Sequence, residues 1–206
     1  MKKIEALFAT PIYLSNTERD FSIEELECVN YHKKQFNINI GKNKTSKNNF
    51  ILKENEMKSL HKDLMIKVND YFKSVEDSDD EVELYITQSW LNYNKSNTYH
   101  HEHWHTNSYI SGVLYIKADE NLDFIRFLNP RYPFFEFSNK NNFNVFNSGI
   151  WDFPVKSGSI ILFPSYLRHS VENNLSDHER ISLAFNVFVK GIIGNENELT
   201  QLKTGI

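Results

Sequence analysis

The apolar residues of this chain change their spacing once, near residue 82, and that change fixes most of what the chain can fold into. Before it, Met57, Leu60, Leu64, Val68 and Phe72 recur three or four positions apart. That is the spacing of one helix face, and it predicts a helix over 52–74. Within 21–36, Ser22 is followed three residues later by Glu25, the form of a capping box, and Ile23, Leu26 and Val29 mark the expected apolar stripe. The acidic run "EDSDDE" (76–81) reads as a solvated turn. Beyond it the period becomes two: Val82, Leu84 and Ile86 alternate, with Trp90 and Leu91 behind them. The strand-like runs "SYISGVLYI" (108–116), "LDFIRF" (122–127) and "GSIILFP" (158–164) follow. The last, "RISLAFNVFV" (180–189), sets Ile181, Leu183, Phe185, Val187 and Val189 on one face. Near the amino terminus, "IEALFATPIYLS" (4–15) reads as a short strand interrupted by Pro11 and suited to a sheet edge. Two helical segments followed by six or more strands predict a mainly β fold, an antiparallel sheet with amino-terminal helices packed on one face. Patterning alone leaves a sandwich and a jelly roll both open.

At 206 residues and 40% hydrophobic, the chain is expected to form one globular domain. A net charge of -4 argues against a dedicated nucleic-acid binder, which would carry a basic surplus or stripe. The locally basic "GKNKTSKNN" (41–49) reads as a solvated loop. Cys28 is the sole cysteine, so no disulfide can form within the chain, and a cytoplasmic setting is expected. No apolar run is long enough for a signal peptide or a membrane span, so no membrane partner is expected.

Four of the eight histidines fall at positions 100, 101, 103 and 105, in "HHEHWH". On an extended strand, residues two apart project to the same side. His103 and His105 can therefore present two imidazoles to one ion, with Trp104 turned away. His169, in "FPSYLRHSVENN", is the natural third ligand, and two ligands from one strand plus one from another leave open positions at the metal. Other pairs share the spacing: His100 with Glu102, which would bring a carboxylate, His101 with His103, and His105 with Asn107. His32, His61 and His178 read as surface or hydrogen-bonded core histidines.

Arg180 opens the last strong strand, with Ser182 on the same side and the apolar row on the other. An inward guanidinium must meet an anion, because burying it unpaired is costly. A carboxylate-bearing cosubstrate answers that need, with Ser182 adding a bond; an acidic side chain of the protein answers it equally.

Several segments together carry a resemblance: "HEHWHTNSYISGVLYI" (101–116), "FLNPR" (127–131), "FPVKSGSIILFPSYLRHSVENN" (153–174) and "ERISLAFN" (179–186), supported by "LFATPIY" (7–13) and "QSWLNYNKSNTY" (88–99). In this order and spacing they resemble the 2-oxoglutarate and iron(II)-dependent oxygenases, in particular a group common in marine bacteria and phages with a His-x-His-Pro-Asn-Ser motif. The resemblance implies a double-stranded β-helix (a cupin-like jelly roll) at 82–190, with amino-terminal helices in a supporting region, 1–81, packed on one sheet, as a single domain over 1–206. It implies iron(II) on His103, His105 and His169, and 2-oxoglutarate with its far carboxylate on Arg180 and Ser182. Trp151 and Tyr109 would line the pocket. The chain departs from the group at Thr106, where proline is usual, and at Asn129, where aspartate often precedes Pro-Arg. His105 stands where the wider superfamily carries aspartate or glutamate, which leaves the ion one negative charge poorer.

The implied reaction hydroxylates a substrate with molecular oxygen while 2-oxoglutarate becomes succinate and carbon dioxide. A small molecule or a short peptide segment is the expected substrate. The loop 138–149, with Phe143 and Phe146 and with Phe137 just before it, either gates access, faces solvent or joins copies of the chain in a homo-oligomer. Two rivals remain at this level. A three-histidine cupin-like metalloenzyme would use no 2-oxoglutarate and need no inward arginine. A jelly-roll binding protein without catalysis would close its metal site.

Overall fold

The computed structural model describes residues 1–78, 81–131, 137, 141–175 and 177–205. The period-two half of the chain forms the strands β4 (Val82–Asn94), β5 (His100–His103), β6 (Ile110–Lys117), β7 (Phe124–Leu128), β8 (Ile150–Pro154), β9 (Ser159–Pro164), β10 (His169–Val171) and β11 (Arg180–Ile193). They divide between two antiparallel sheets. One contains the run β9-β6-β11-β4, and the other has the order β5-β10-β7-β8. Apart from the adjacent pair β7 and β8, successive strands thus cross from sheet to sheet, which is the connectivity of a jelly roll. The larger sheet continues past β9 to β1 (Tyr13–Asn16) and past β4 to β3 (Lys44–Ser46) and β2 (Phe36–Ile38), while β12 (Leu202–Thr204) pairs with the far end of β11.

The alternation read from the sequence sorts two cores onto the two sides of the larger sheet. Ile181, Leu183, Phe185, Val187 and Val189 of β11 join Ile110, Leu114 and Ile116 of β6 and Ile160 and Leu162 of β9 in one buried cluster. That cluster also holds Leu60, Leu64, Val68 and Tyr71 of α2 (Lys58–Val75) and Cys28 and Val29 of α1 (Ile23–His32). The odd-and-even partners, Val113, Tyr115, Ile161, Phe163 and Ala184, form a second cluster with Ile125 and Phe127 of β7. The space between the two sheets is therefore the second core. Gly112 is required where it stands: a Cβ there would meet the Phe185 ring at 2.1 Å.

Several boundaries differ from the sequence reading. The helix predicted over 52–74 starts at Lys58, because Glu54 takes an extended conformation (φ -65, ψ 148) that separates two 3-10 turns at Ile51–Lys53 and Asn55–Met57. The capping box of α1 is present, with Ser22 Oγ accepting from Glu25 N at 3.2 Å and Glu25 Oε2 accepting from Ser22 N at 2.8 Å. Its buried face keeps only Val29 of the predicted stripe. Ile23 is 73% exposed, whereas Glu25, Cys28, Val29 and His32 are buried. The segment 41–49 is not a simple solvated loop, for it contains β3, which pairs Lys44 with Tyr93 and Thr45 with Asn92 of β4. Ser46, fully buried, ties this edge down by accepting from Leu91 N and donating to Asn48 O. Of 4–15, only Tyr13 onward pairs, on β9 at the sheet edge, after Pro11. Part of the acidic run (79–80) and part of the predicted gating loop (138–140) lie outside the described residues.

Candidate metal centre

The smaller sheet puts His103 and His169 side by side. In its antiparallel register His103 lies opposite His169, His169 opposite Phe127, and Phe127 opposite Trp151. Residues directly opposite share a face. Phe127 belongs to the inter-sheet core, so this whole row turns inward. The pairing shifts between His169 and Val171, with Val171 opposite His100. β5 thus carries one residue more than its partner, a bulge, which returns His100 to the side of His103 instead of opposing it. Their rings stack at 4.5 Å and 14°.

His105 lies two residues past the end of β5, and its backbone N–H donates to Ser165 O at 2.9 Å. That anchor brings its ring within 5.2 Å of both His103 and His169, which are themselves 4.3 Å apart. One nitrogen of each of the three lies within 4.8 Å of the others.

The second nitrogen of each ring is already engaged, and this sets the tautomers. His103 Nδ1 is 2.8 Å from His101 O, and His169 Nδ1 is 3.0 Å from Leu167 O. A carbonyl only accepts, so both Nδ1 atoms carry the proton and both Nε2 lone pairs are free. His105 Nδ1 is 2.5 Å from Asn186 Oδ1 on β11, with Ser111 Oγ 2.9 Å from the same nitrogen. Ser111 in turn bonds Ser165 at 2.8 Å, and Ser165 donates to Ser108 at 2.8 Å. Three Nε2 atoms on imidazoles fixed by outer hydrogen bonds form a ligand set of the kind that holds a divalent ion. Burial first of all holds these rings neutral. It pulls His169 well below the ordinary histidine value and His103 to about 4, with neighbouring imidazoles adding repulsion. His100 falls to about 3 for the same reasons, with Arg180 contributing. His105 is lowered by burial, against the opposing bond to Asn186.

The carboxylate alternative does not converge. Glu102 points away from the rings and pairs with Arg168 at 2.7 Å, and the Arg168 guanidinium lies over Trp104. His101 supplies its carbonyl to His103, and its own Nδ1 is buried without a partner among the described residues. Trp151 stands at the end of the inward row, 41% exposed. Tyr109 does not line this space: its hydroxyl donates to Glu76, and its ring packs edge-on against Phe72 of α2. Phe137, Phe143 and Phe146 are all largely exposed.

Arg180 is 4% exposed at the start of β11, with Ser182 buried two residues on. Its Nη1 donates to Asp123 Oδ1 at 3.3 Å, and its Nη2 is buried with no partner among the described residues. Burial lowers the guanidinium below its ordinary value, while Tyr115 and Asp123 act the other way. Asp123, 3% exposed, also accepts from Asp119 N at 2.9 Å and lies 3.2 Å from His178 Nε2. The inward arginine is therefore met, on one nitrogen, by a protein carboxylate. Asp123 and Asn186 were not identified from the sequence. Asn186 carries one legible signal, a polar residue on the same side of β11 as Arg180 and Ser182.

The fold is similar to that of a prolyl-4-hydroxylase from Pseudomonas putida, at 13% identity over 87% of this chain and 94% of that one, with a TM-score of 0.56. It is similar to HygX from Streptomyces hygroscopicus, solved with nickel, 2-oxoglutarate and hygromycin B, at 12% identity over 86% and 82% and a TM-score of 0.53. An oxidoreductase of the 2OG-Fe(II) oxygenase family from Burkholderia pseudomallei gives 12% identity over 85% and 83%, with a TM-score of 0.56. At such identities the likeness is one of fold. No curated protein sequence matches the chain. Residues 88–186, which include His103, His105, His169, Arg180 and Ser182, match the model of a family described as "Putative 2OG-Fe(II) oxygenase".

Proposed function

We propose that this chain is an iron(II)- and 2-oxoglutarate-dependent oxygenase that hydroxylates a small molecule or a short peptide segment in the cytoplasm. The observation that carries the reading is the convergence of one ring nitrogen from each of three histidines whose Nδ1 atoms are all held by acceptors, which leaves Nε2 as the free ligand atom. His103, His105 and His169 would hold the iron, and Arg180 with Ser182 the far carboxylate of the cosubstrate. The buried, unpartnered Nη2 of Arg180 fits an anionic group. When bound, iron and 2-oxoglutarate supply the oxidation, with succinate and carbon dioxide as by-products.

The chain's own residues position and shield. His101 O, Leu167 O and Asn186 Oδ1 keep a proton on each Nδ1, so each Nε2 lone pair stays aimed at the ion. Phe127 and Phe163 flank His169 and keep water from that side. The jelly roll supports the site as a double-stranded β-helix, and the amino-terminal helices brace its larger sheet from the far side. Among the described residues no helix is long and apolar enough to cross a membrane. Trp151, at the rim of the inward row and partly exposed, would meet the substrate.

The pairing of Arg180 with Asp123 favours one rival, a three-histidine metalloenzyme that uses no 2-oxoglutarate, because the arginine then needs no cosubstrate. Titration of 2-oxoglutarate into the metal-loaded protein separates the two. Binding to the wild type that weakens at least about tenfold in Arg180→Met, a loss of about 1.4 kcal/mol, supports the oxygenase. No binding to the wild type, or equal binding to both, refutes it.

A further inference from the structure

A second group of metal-ligating side chains lies on the other side of the larger sheet's core, away from the histidine centre. Cys28 and His32 sit one turn apart on α1, and both are buried, at 7% and 5% exposure. Residues at i and i+4 occupy one helix face, so the thiol and the imidazole point the same way. Glu54 comes to meet them from the extended residue between the two 3-10 turns. Its Oε1 is 3.1 Å from His32 Nε2, and one ligand atom from each of Cys28, His32 and Glu54 lies within 4.8 Å of the others. Asn48 Nδ2 donates to Glu54 Oε1 at 2.6 Å, an outer bond that fixes the carboxylate and leaves Oε2 available.

We propose that Cys28, His32 and Glu54 form a separate binding site for zinc(II), which fastens α1 to the 51–57 segment. A tetrahedral zinc ion with sulfur and nitrogen or oxygen ligands separates them by roughly 3.3–3.6 Å. Side-chain adjustments of about an ångström close the set, and water supplies the fourth position. The donor set selects the ion. A thiolate with an imidazole and a carboxylate suits zinc, whereas the three neutral imidazoles of the other centre contain no sulfur. On binding, the Cys28 thiol gives up its proton to solvent, and the neutral His32 ring takes the tautomer with its proton on Nδ1, so that the Nε2 lone pair faces the ion. Zinc then supplies positive charge beside the half-buried Glu54 carboxylate. The fold gains a metal link between two elements joined otherwise by side-chain packing and the His32–Glu54 contact.

Because Cys28 is the sole cysteine, any thiolate-to-metal charge-transfer band reports this site alone. The iron-loaded full chain is titrated with cadmium(II) or cobalt(II) while near-ultraviolet absorption is followed. A band that saturates at one equivalent, bleaches when zinc(II) is added and disappears in Cys28→Ser and His32→Gln supports the site. The same variants should lose one of two bound metal equivalents and keep the other. Alkylation of Cys28 in the native protein provides a check independent of the variants' folding, and zinc(II) should slow it at least about tenfold. Absence of a charge-transfer band at saturating metal, or an alkylation rate indifferent to zinc(II), overturns the proposal.

Discussion

Replacing Asp123 with asparagine tests whether a protein carboxylate and a bound anion share Arg180. Both members of the pair are almost fully buried, at 3% and 4% exposure, and they meet through one 3.3 Å contact. Removing one partner of a buried pair leaves the other charge uncompensated, at a cost of about 3–5 kcal/mol. Asparagine keeps an oxygen that can still accept from Arg180 Nη1 and Asp119 N, so the lower end, about 3 kcal/mol, applies. For a chain of this size that lowers the melting temperature by about 6–12 °C. The dianion of 2-oxoglutarate should restore much of it. In Asp123→Asn the guanidinium has no competing carboxylate, so affinity should rise about tenfold, equivalent to about 1.4 kcal/mol. The assay is thermal unfolding of metal-loaded wild type and variant across a 2-oxoglutarate series, with affinities from the ligand dependence of the transition. A variant as stable as the wild type refutes the charge argument. A variant that binds 2-oxoglutarate more weakly shows that Asp123 orients Arg180 for the ligand instead of competing with it.

Two further outcomes follow from the histidine centre. Asn186→Ala removes the acceptor that fixes the His105 proton on Nδ1, leaving Ser111 alone to do so; metal affinity should fall about 10–100-fold in chelator competition, and unchanged affinity would remove Asn186 from the site. Metal-free protein should lose stability as the pH falls from 6.5 toward 4, because buried His103 stays neutral to about 4 and His169 is likewise depressed, while the unfolded chain takes up protons first. Each such histidine removes up to about 1.4 kcal/mol per pH unit through that window. Urea midpoints between about pH 6.5 and about pH 5, above the ordinary carboxylate range, measure it, and a flat profile contradicts it.

What the sequence disclosed follows from the range of the interactions. The β11 row Ile181 to Val189 was legible because alternation is local, and the structure buries all five residues in one cluster. The convergence of His103, His105 and His169 was legible only in part: the two-residue spacing suggested the first pair, but His105 lies beyond β5, and its bond to Ser165 O brings its ring to the others. The α1 stripe was misread for a physical reason: Glu25 is buried, with its charge met by Arg19 at 2.6 Å, so a polar letter occupies the inward face. The bulge in β5 has no letter of its own, and without it the stacking of His100 on His103 is invisible. Asn186 and Asp123 act across 81 and 57 positions of sequence, on His105 and Arg180 respectively. Only the packing of the two sheets, with β11 in one and β5 and β7 in the other, brings such pairs together. β3 escaped notice because its row is polar and its pairing on β4 rests on backbone bonds and on the buried hydroxyl of Ser46.

The placement of Asp123 also bears on the missing carboxylate at position 105. Three neutral imidazoles leave a divalent ion uncompensated by its ligands, and a dianionic cosubstrate alone can neutralise it. Were Arg180 unpaired, the same dianion would be asked to balance a third positive charge in a buried space. Asp123 removes that demand by meeting Arg180 within the protein. With a carboxylate at 105 and Asp123 in place, the loaded site would instead carry a net negative charge. In the proposed site the two features fit each other: the acid absent from the proposed ligand set stands beside the arginine. Loaded as proposed, the site would stay balanced in total charge while the ion kept a softer, neutral set of ligands. Charge neutrality of a buried site is a property of the whole pocket, and it can be met by residues on strands as distant as the edge of β7 and the start of β11.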